Sequence, residues 1–195
     1  MRISGIPRSW NRDHILDVLG TLDPTFSTDK SSQSLSVFPA CHGDRQVALC
    51  EVDTSASLIR TVHKVHKGLS RVTAGEDNIQ LDLDTQFYDM TPLNAPWPGE
   101  VVADVVAVTG LAGHAFGSWR SRDTGKMWLK DFLSEDVSGV RIMTYGYNSS
   151  LVGGTVEHNF LEYRKHFIHS LLNARHGVKV CDVTFWQATF LGQRG

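Results

Sequence analysis

The spacing of apolar positions predicts alternating strands and helices in the first half of the chain. Four short runs have the alternation or apolar content of strands, at residues 2–7, 34–41, 46–53 and 78–85. Two longer runs, residues 11–20 and 55–68, repeat apolar residues at helical spacing, and Asn11 is a suitable N-cap for the first of them. The order β-α-β-β-α-β predicts a small ferredoxin-like α+β domain.

The second half begins with a β-branched run that predicts a buried parallel strand. In order, the pattern predicts a strand, a short amphipathic segment, a second strand, a long helix and a final strand, at residues 101–108, 127–133, 140–145, 155–177 and 180–193. The predicted apolar stripe of the helix includes Tyr163, Phe167 and Leu172. Strands that alternate with helices predict a parallel α/β sheet.

A proline-rich segment separates the two halves. Residues 89–100 hold three of the six prolines, and proline fixes φ and disfavours helix in the residue before it. We therefore predict a first domain at residues 1–88, a linker at residues 89–100 and a second domain at residues 101–195. A parallel sheet of only three strands leaves apolar edges open, so we expect the second domain to be marginally stable alone or to need a partner.

Composition excludes several classes of protein. The chain has 195 residues, 41% of them hydrophobic and 21% charged, which is ordinary for a globular protein. The net charge of −2 gives no overall attraction to nucleic acid or anionic membranes. Three cysteines without close pairing argue against a secreted disulfide scaffold, and neither a signal peptide nor a membrane-spanning run is visible. A cytoplasmic location is the expectation.

A glycine loop directly follows the first strand of the second half. Its residues are Gly110, Leu111, Ala112, Gly113 and His114. Glycines at this position allow a tight turn in which backbone N–H groups point into a cavity, as in the oxyanion loops of serine hydrolases. An ordinary strand-to-helix turn explains the same spacing. For His114, the two interpretations are a residue that orients the loop or lines a pocket, and a plain turn residue.

Three motifs in this half resemble one family. The stretches VVAVTGLAGHAFGSW, MWLKDFL and VRIMTYGYNSS resemble, in this order and spacing, the opening of a lipase-like serine-esterase domain. That domain occurs in fungal proteins that also carry NACHT, ankyrin or tetratricopeptide modules. It is similar to the serine-active-site-containing proteins and, more distantly, to the GPI-inositol deacylases. The first half resembles the region that precedes the esterase, so the resemblance reaches to about Arg175.

The resemblance implies a fold, an activity and a location. The fold would be that of an α/β-hydrolase, and the mechanism would be an acyl-enzyme mechanism in which a serine attacks an ester. The backbone amides of Leu111 and Ala112 would stabilise the oxyanion. An association with mitochondria or the endoplasmic reticulum is implied as an alternative to the cytoplasm.

The chain departs from this family at two points. Thr109 stands where the family has histidine, and Ala112 stands where it has glycine. No Gly-x-Ser-x-Gly nucleophile elbow occurs in the sequence, and the acid and the general-base histidine that follow the elbow in this fold are missing as well. We therefore predict an incomplete α/β-hydrolase sheet without catalytic residues. Such a chain is a fragment or noncatalytic form of an esterase-like enzyme, with no turnover.

Other candidate sites in the sequence are weaker. Ser170 lies in a His-Ser-Leu triplet, but it falls inside the predicted long helix without flanking glycines, so it cannot form an elbow. Two histidine pairs at a spacing of three, His63 with His66 and His166 with His169, lack a third ligand, so no metal is expected. No cofactor is expected either, because the sequence has no P-loop motif.

Two alternative functions stay open. The second half can serve as a docking module for a protein partner or for a missing C-terminal domain of its own. The first half has the element order of an RNA-recognition motif, whose sheet stacks bases on aromatic residues. Val47, Leu49, Val52 and Arg2 occupy those aromatic positions here, which disfavours RNA binding.

Overall fold

Each half of the chain folds around a β-sheet of its own in the computed structural model. The structure describes residues 1–24, 34–52, 62, 69–75, 77–95, 101–110, 113–148, 156–176 and 182–188, with the backbone alone for 156–160 and 182–188. The chain divides into two units, Met1–Gln86 and Phe87–Gly195. One sheet is antiparallel and the other is mixed, so the protein is of the mixed α/β class.

The first unit is built on a five-stranded antiparallel sheet with the strand order β2-β3-β1-β5-β4. Its elements, in chain order, are β1 (Arg2–Pro7), α1 (Arg12–Leu22), β2 (Leu35–Pro39), β3 (Arg45–Cys50), β4 (Leu69–Ala74) and β5 (Ile79–Asp84). The four predicted strands are confirmed. The second predicted helix lies outside the described residues except for Val62, which is buried in the core of this unit.

Strand β4 is absent from the sequence-based prediction because its apolar and polar residues do not alternate between its exposed and its covered face. Leu69, Arg71 and Thr73 are exposed, while Val72 between them is half-buried. As the edge strand beside β5, it shows little of the apolar alternation that identifies a strand. Instead, Nε of Arg71 donates to Oδ1 of Asp82 across the strand pair at 2.7 Å.

Helix α1 contributes the largest apolar stripe to the core of this unit. The side-chain oxygen of Asn11 accepts a hydrogen bond from the backbone N–H of His14 at 2.9 Å, so the predicted N-cap is confirmed. The buried stripe consists of Ile15, Leu16, Val18 and Leu19. These residues share one apolar cluster with residues of β1, β3 and β5. Burial of such a stripe supplies most of the stability of a helix in a protein.

The second unit holds a four-stranded mixed sheet with the strand order β6-β8-β7-β9. Its strands are β6 (Asp89–Pro92), β7 (Ala103–Thr109), β8 (Val140–Gly146) and β9 (Asp182–Ala188). Its helical segments are a 3-10 turn (Gly117–Trp119), a π-helical turn (Leu129–Leu133) that continues into an α-helical turn (Ser134–Asp136), and the long helix α2 (Val156–Arg175). β7 is parallel to both of its neighbours, and β6 is antiparallel to β8. The three predicted strands of this half and its long helix are confirmed.

Three expectations for this unit are wrong. The sheet is not a parallel sheet of three strands, because β6 adds a fourth strand that is antiparallel to β8. The segment predicted as a linker from residue 89 begins with a strand, Asp89–Pro92, and its proline is tolerated because β6 is an edge strand. Leu172 does not face the sheet, since it is 65% exposed, whereas Ser170 and Ala174 on the same helix are buried.

A buried ion pair joins β7, β8 and α2 at the amino ends of the two strands. Asp104 is fully buried, and its carboxylate accepts hydrogen bonds from Nε and Nη2 of Arg141 at 2.7 and 2.9 Å. Nη1 of Arg141 donates to the carbonyl oxygen of Ala174 at 2.8 Å, near the carboxyl end of α2, where helix carbonyls carry partial negative charge. Arg141 of β8 therefore links β7 to the carboxyl end of α2.

Arg141→Met should destabilise the second unit by about 3 kcal/mol or more, because it leaves the Asp104 carboxylate buried without its bidentate partner. Urea unfolding followed by circular dichroism measures the change. The control is Arg71→Met, which breaks an exposed pair with Asp82 and should change the free energy of unfolding far less. Equal effects of the two substitutions would contradict this account.

Candidate functional site

The candidate site lies at the carboxyl ends of β7 and β8, where the chain leaves two neighbouring parallel strands toward opposite faces of the sheet. Thr144 of β8 faces the segment after β7, because its hydroxyl lies 2.7 Å from the carbonyl oxygen of Ala115. Tyr145, the next residue, faces α2, because its ring centroid lies 4.8 Å from that of Phe167. In open α/β sheets, ligands bind in the crevice that forms where the connections after two neighbouring strands leave toward opposite faces of the sheet.

The glycine loop indicated by the sequence stands at this edge. Gly110 follows β7 directly, and the N–H of Gly113 donates to the carbonyl oxygen of Gly110 at 3.1 Å, which closes a tight turn. A Cβ atom on Gly113 would lie 3.0 Å from that oxygen and 3.0 Å from Cβ of Thr109, so the turn leaves little room for a side chain. Leu111 and Ala112, the predicted oxyanion donors, lie outside the described residues.

His114 holds the far end of the loop with its side chain. Nδ1 of its ring accepts hydrogen bonds from the backbone N–H groups of Phe116 and Gly117 at 3.2 and 2.9 Å. The backbone N–H of His114 donates to the hydroxyl oxygen of Ser118 at 3.1 Å. Because Nδ1 accepts, the proton of the neutral imidazole sits on Nε2. These contacts fit a residue that orients the loop and begins the 3-10 turn.

Phe87 covers this edge of the sheet, and sequence reasoning missed it. Its ring is buried, with its centroid 5.1 Å from that of Phe116 and 5.5 Å from that of His114. Its φ of 58° lies in the left-handed region, which costs a residue with a side chain on the order of 1 kcal/mol. No local sequence pattern signals this conformation. The packing of the buried ring therefore compensates for the unfavourable backbone conformation of Phe87.

Gly146, at the end of β8, makes room for Phe87. A Cβ atom at position 146 would lie 1.9 Å from the carbonyl oxygen of Phe87 and 2.9 Å from Cβ of Ala115. No side chain fits into that space, so glycine is required where the backbone of Phe87 crosses the end of the strand. No local sequence pattern indicates that a segment packs on this glycine.

Two tyrosines hold the strand ends beside the loop. The sequence pattern places Tyr163 only on the apolar stripe of the helix and assigns no role to Tyr147. The hydroxyl of Tyr147 donates to the carbonyl oxygen of Thr109 at 3.1 Å. The hydroxyl of Tyr163 on α2 donates to the carbonyl oxygen of Asn148. Burial raises the pKa of Tyr147, and the neighbouring Tyr163 raises it further. The phenol of Tyr147 therefore stays protonated at neutral pH and keeps its role as a donor.

Comparison with known proteins identifies no family for this chain. No family model, curated protein or solved structure matches it. The esterase resemblance therefore stays a prediction from the three sequence motifs.

Of the two histidine pairs singled out in the sequence, His166 and His169 lie within the described residues of α2. Nδ1 of His166 lies 2.9 Å from the hydroxyl of Tyr145, and His169 is exposed on the same helix. His63 and His66 lie outside the described residues. Within the described ranges, no group of three or more histidine, cysteine, aspartate or glutamate side chains is placed to hold a metal ion.

Three of the four positions that would stack bases in an RNA-recognition motif are buried in the first unit. Val47 and Leu49 of β3 are each 6% exposed. Arg2 of β1 is also buried, and its Nη2 donates to Oδ2 of Asp84 at 2.5 Å. Base stacking needs exposed aromatic faces, so these positions do not provide an RNA-binding surface. Val52, the fourth such position, is half-buried beyond the end of β3.

His114→Ala should destabilise the second unit by about 1 kcal/mol, because two backbone N–H groups lose their side-chain acceptor, as in the loss of an N-cap. His114→Asn is the matched control, since its amide oxygen can take the place of Nδ1 and should recover most of the loss. Thermal unfolding measures both variants. Equal destabilisation by alanine and asparagine would show that the hydrogen bonds to Nδ1 do not hold the loop.

Proposed function

We propose that residues 87–188 form the oxyanion-loop half of a serine-esterase-like α/β-hydrolase, and that this chain does not turn over esters. We further propose that the preceding unit is a ferredoxin-like domain. Its order β2-β3-β1-β5, with antiparallel neighbours throughout, supports that arrangement, and β4 is then an added edge strand.

The observation that carries the esterase-like assignment is the position of β9 beside β7. Thr109 at the end of β7 is paired with Ala188 at the end of β9, in a parallel register. In acyl transfer the nucleophile and the oxyanion donors act on one carbonyl group, with the donors about 3 Å from its oxygen. A nucleophile elbow after β9 would therefore face the loop of residues 110–114 across neighbouring strand ends.

The sequence of this chain supports binding at that loop and does not support covalent chemistry. After β9 it reads Thr-Phe-Leu-Gly-Gln-Arg-Gly, without the serine of an elbow. Backbone N–H groups of the loop would donate to a carbonyl or carboxylate oxygen, and His114 and Tyr147 would keep the loop in shape. Neither side chain acts as a general base in this account. Nδ1 of His114 already accepts two backbone hydrogen bonds, and the phenol of Tyr147 is a donor to Thr109.

The full chain should hydrolyse nitrophenyl butyrate no faster than buffer alone, because the sequence contains no nucleophile elbow. Ser170→Ala should behave as the parent protein does, since Ser170 is buried in the middle of α2. Ser118→Ala is the matched control at the loop, where its hydroxyl accepts from the N–H of His114. Turnover above buffer that either substitution abolishes would contradict the proposal.

The binding half of the proposal is tested on the same protein by NMR, with butyrate as the probe. We expect the amide signals of Gly110 and Gly113 to shift on titration, while signals of the first unit stay unchanged. A titration without any shift at the loop would overturn the esterase-like assignment, even if turnover is absent.

A further inference from the structure

The ring of Phe87 lies against the far end of the glycine loop. Its centroid is 5.5 Å from that of His114, the last residue of the loop, and 5.1 Å from that of Phe116. Phe87 is only 5% exposed, while His114 and Phe116 are half-buried. The apolar space beside His114 is therefore filled by a phenyl ring of the chain itself.

The backbone of Phe87 lies at the strand end where the loop begins. Gly146, where a Cβ atom would lie 1.9 Å from the carbonyl oxygen of Phe87, directly follows Tyr145. Tyr145 is paired with Val108 of β7, two residues before Gly110. Phe87 therefore contacts both ends of the candidate site, with its carbonyl group at the end of β8 and its ring at the last residue of the loop.

The surroundings of Phe87 fix the position of its ring. Phe87 and Asp89 both have a left-handed backbone, with φ of 58° and 69°. A residue with a side chain keeps such a conformation only where its surroundings determine it. For Phe87, these surroundings are the rings of His114 and Phe116 and the space that Gly146 leaves for its carbonyl group. A ligand at the loop therefore meets the phenyl ring as a fixed wall.

We propose that Phe87 limits the size of the ligand at the glycine loop. A carbonyl compound with a short aliphatic chain fits beside the ring, and one with an aromatic ring close to its carbonyl group does not. Because protein interiors are close-packed, two phenyl rings cannot share the space that one of them fills. This inference rests on the proposed binding of carbonyl or carboxylate oxygens at the loop, since the limit applies to the group attached to that carbon.

Phe87→Ala tests the proposal, because a cavity lined by apolar side chains stays dry and takes up small aromatic molecules. The full chain is titrated with butyrate and with phenylacetate, and binding is followed by NMR at the amide signals of Gly110 and Gly113. The parent should bind butyrate more tightly than phenylacetate. Phe87→Ala should bind phenylacetate roughly tenfold or more tightly than the parent does, because the ring of the ligand gains the vacated contacts. Its affinity for butyrate should change much less, because the short chain makes few contacts across the cavity.

Two controls separate the size limit from general effects of the substitution. Phe132→Ala removes a phenyl ring that is 51% exposed in the π-helical turn. Ile15→Ala makes a cavity in the core of the first unit. Both controls should bind the two probes as the parent does. Far-UV circular dichroism checks the fold, and Phe87→Leu replaces Phe87→Ala if the alanine variant does not fold. The leucine variant leaves a smaller space, so its gain in affinity for phenylacetate should be smaller.

The outcomes distinguish a failure of the size limit from a failure of the proposed function. Loop signals that respond to butyrate, with equal affinities for phenylacetate in the parent and in the folded variant at Phe87, would overturn the size limit alone. The same holds for a parent that binds phenylacetate as tightly as butyrate, and for an equal gain in either control. Loop signals that respond to neither probe in any of the proteins would overturn the proposed binding function, and the size limit with it.

Discussion

The fully buried carboxylate of Asp104 is the constraint on which the second unit depends, because a charge inside an apolar strand must be paired. Arg141, on the neighbouring strand, provides two hydrogen bonds to it and a third to the carbonyl oxygen of Ala174 at the end of α2. β7, β8 and α2 therefore have one relative position in which all of these groups are satisfied. The ion pair lies at the amino ends of β7 and β8. The loops of the candidate site lie at the carboxyl ends of the same two strands.

At the carboxyl ends of β7 and β8, side-chain packing rather than an ion pair fixes the conformation of Phe87. Phe87 keeps a left-handed backbone because its ring is buried beside His114 and Phe116, and because Gly146 leaves space for its carbonyl group. The loop after β7 is held through the imidazole of His114 and through Tyr147. Side chains thus shape this end of the sheet, and in the function that we propose the backbone amides of the loop would be the binding groups.

Local patterns predicted the elements that bury a full apolar face, and they failed where only part of a segment is buried. The β-branched run of β7 and the N-capped stripe of α1 were read correctly. β4 escaped prediction because Leu69 lies on its exposed face and Ser70 on its covered face, so apolar and polar residues do not alternate as in a half-buried strand. β6 escaped it because Pro92 argued for a linker, although an edge strand tolerates proline. The pair of Asp104 and Arg141 also has no local signal, because the two residues are 37 positions apart in the chain. The conformation of Phe87 had no local signal at all.

The central claim is that β7 lies between β8 and β9, parallel to both, so that its glycine loop faces the end of β9. Backbone NOEs measured by NMR on the full chain test this arrangement most directly. We predict cross-strand contacts from Val106 to Met143 on one side and to Phe185 on the other, in the pattern of parallel strands. A β9 without contacts to β7, or one that pairs with it in antiparallel register, would contradict the account.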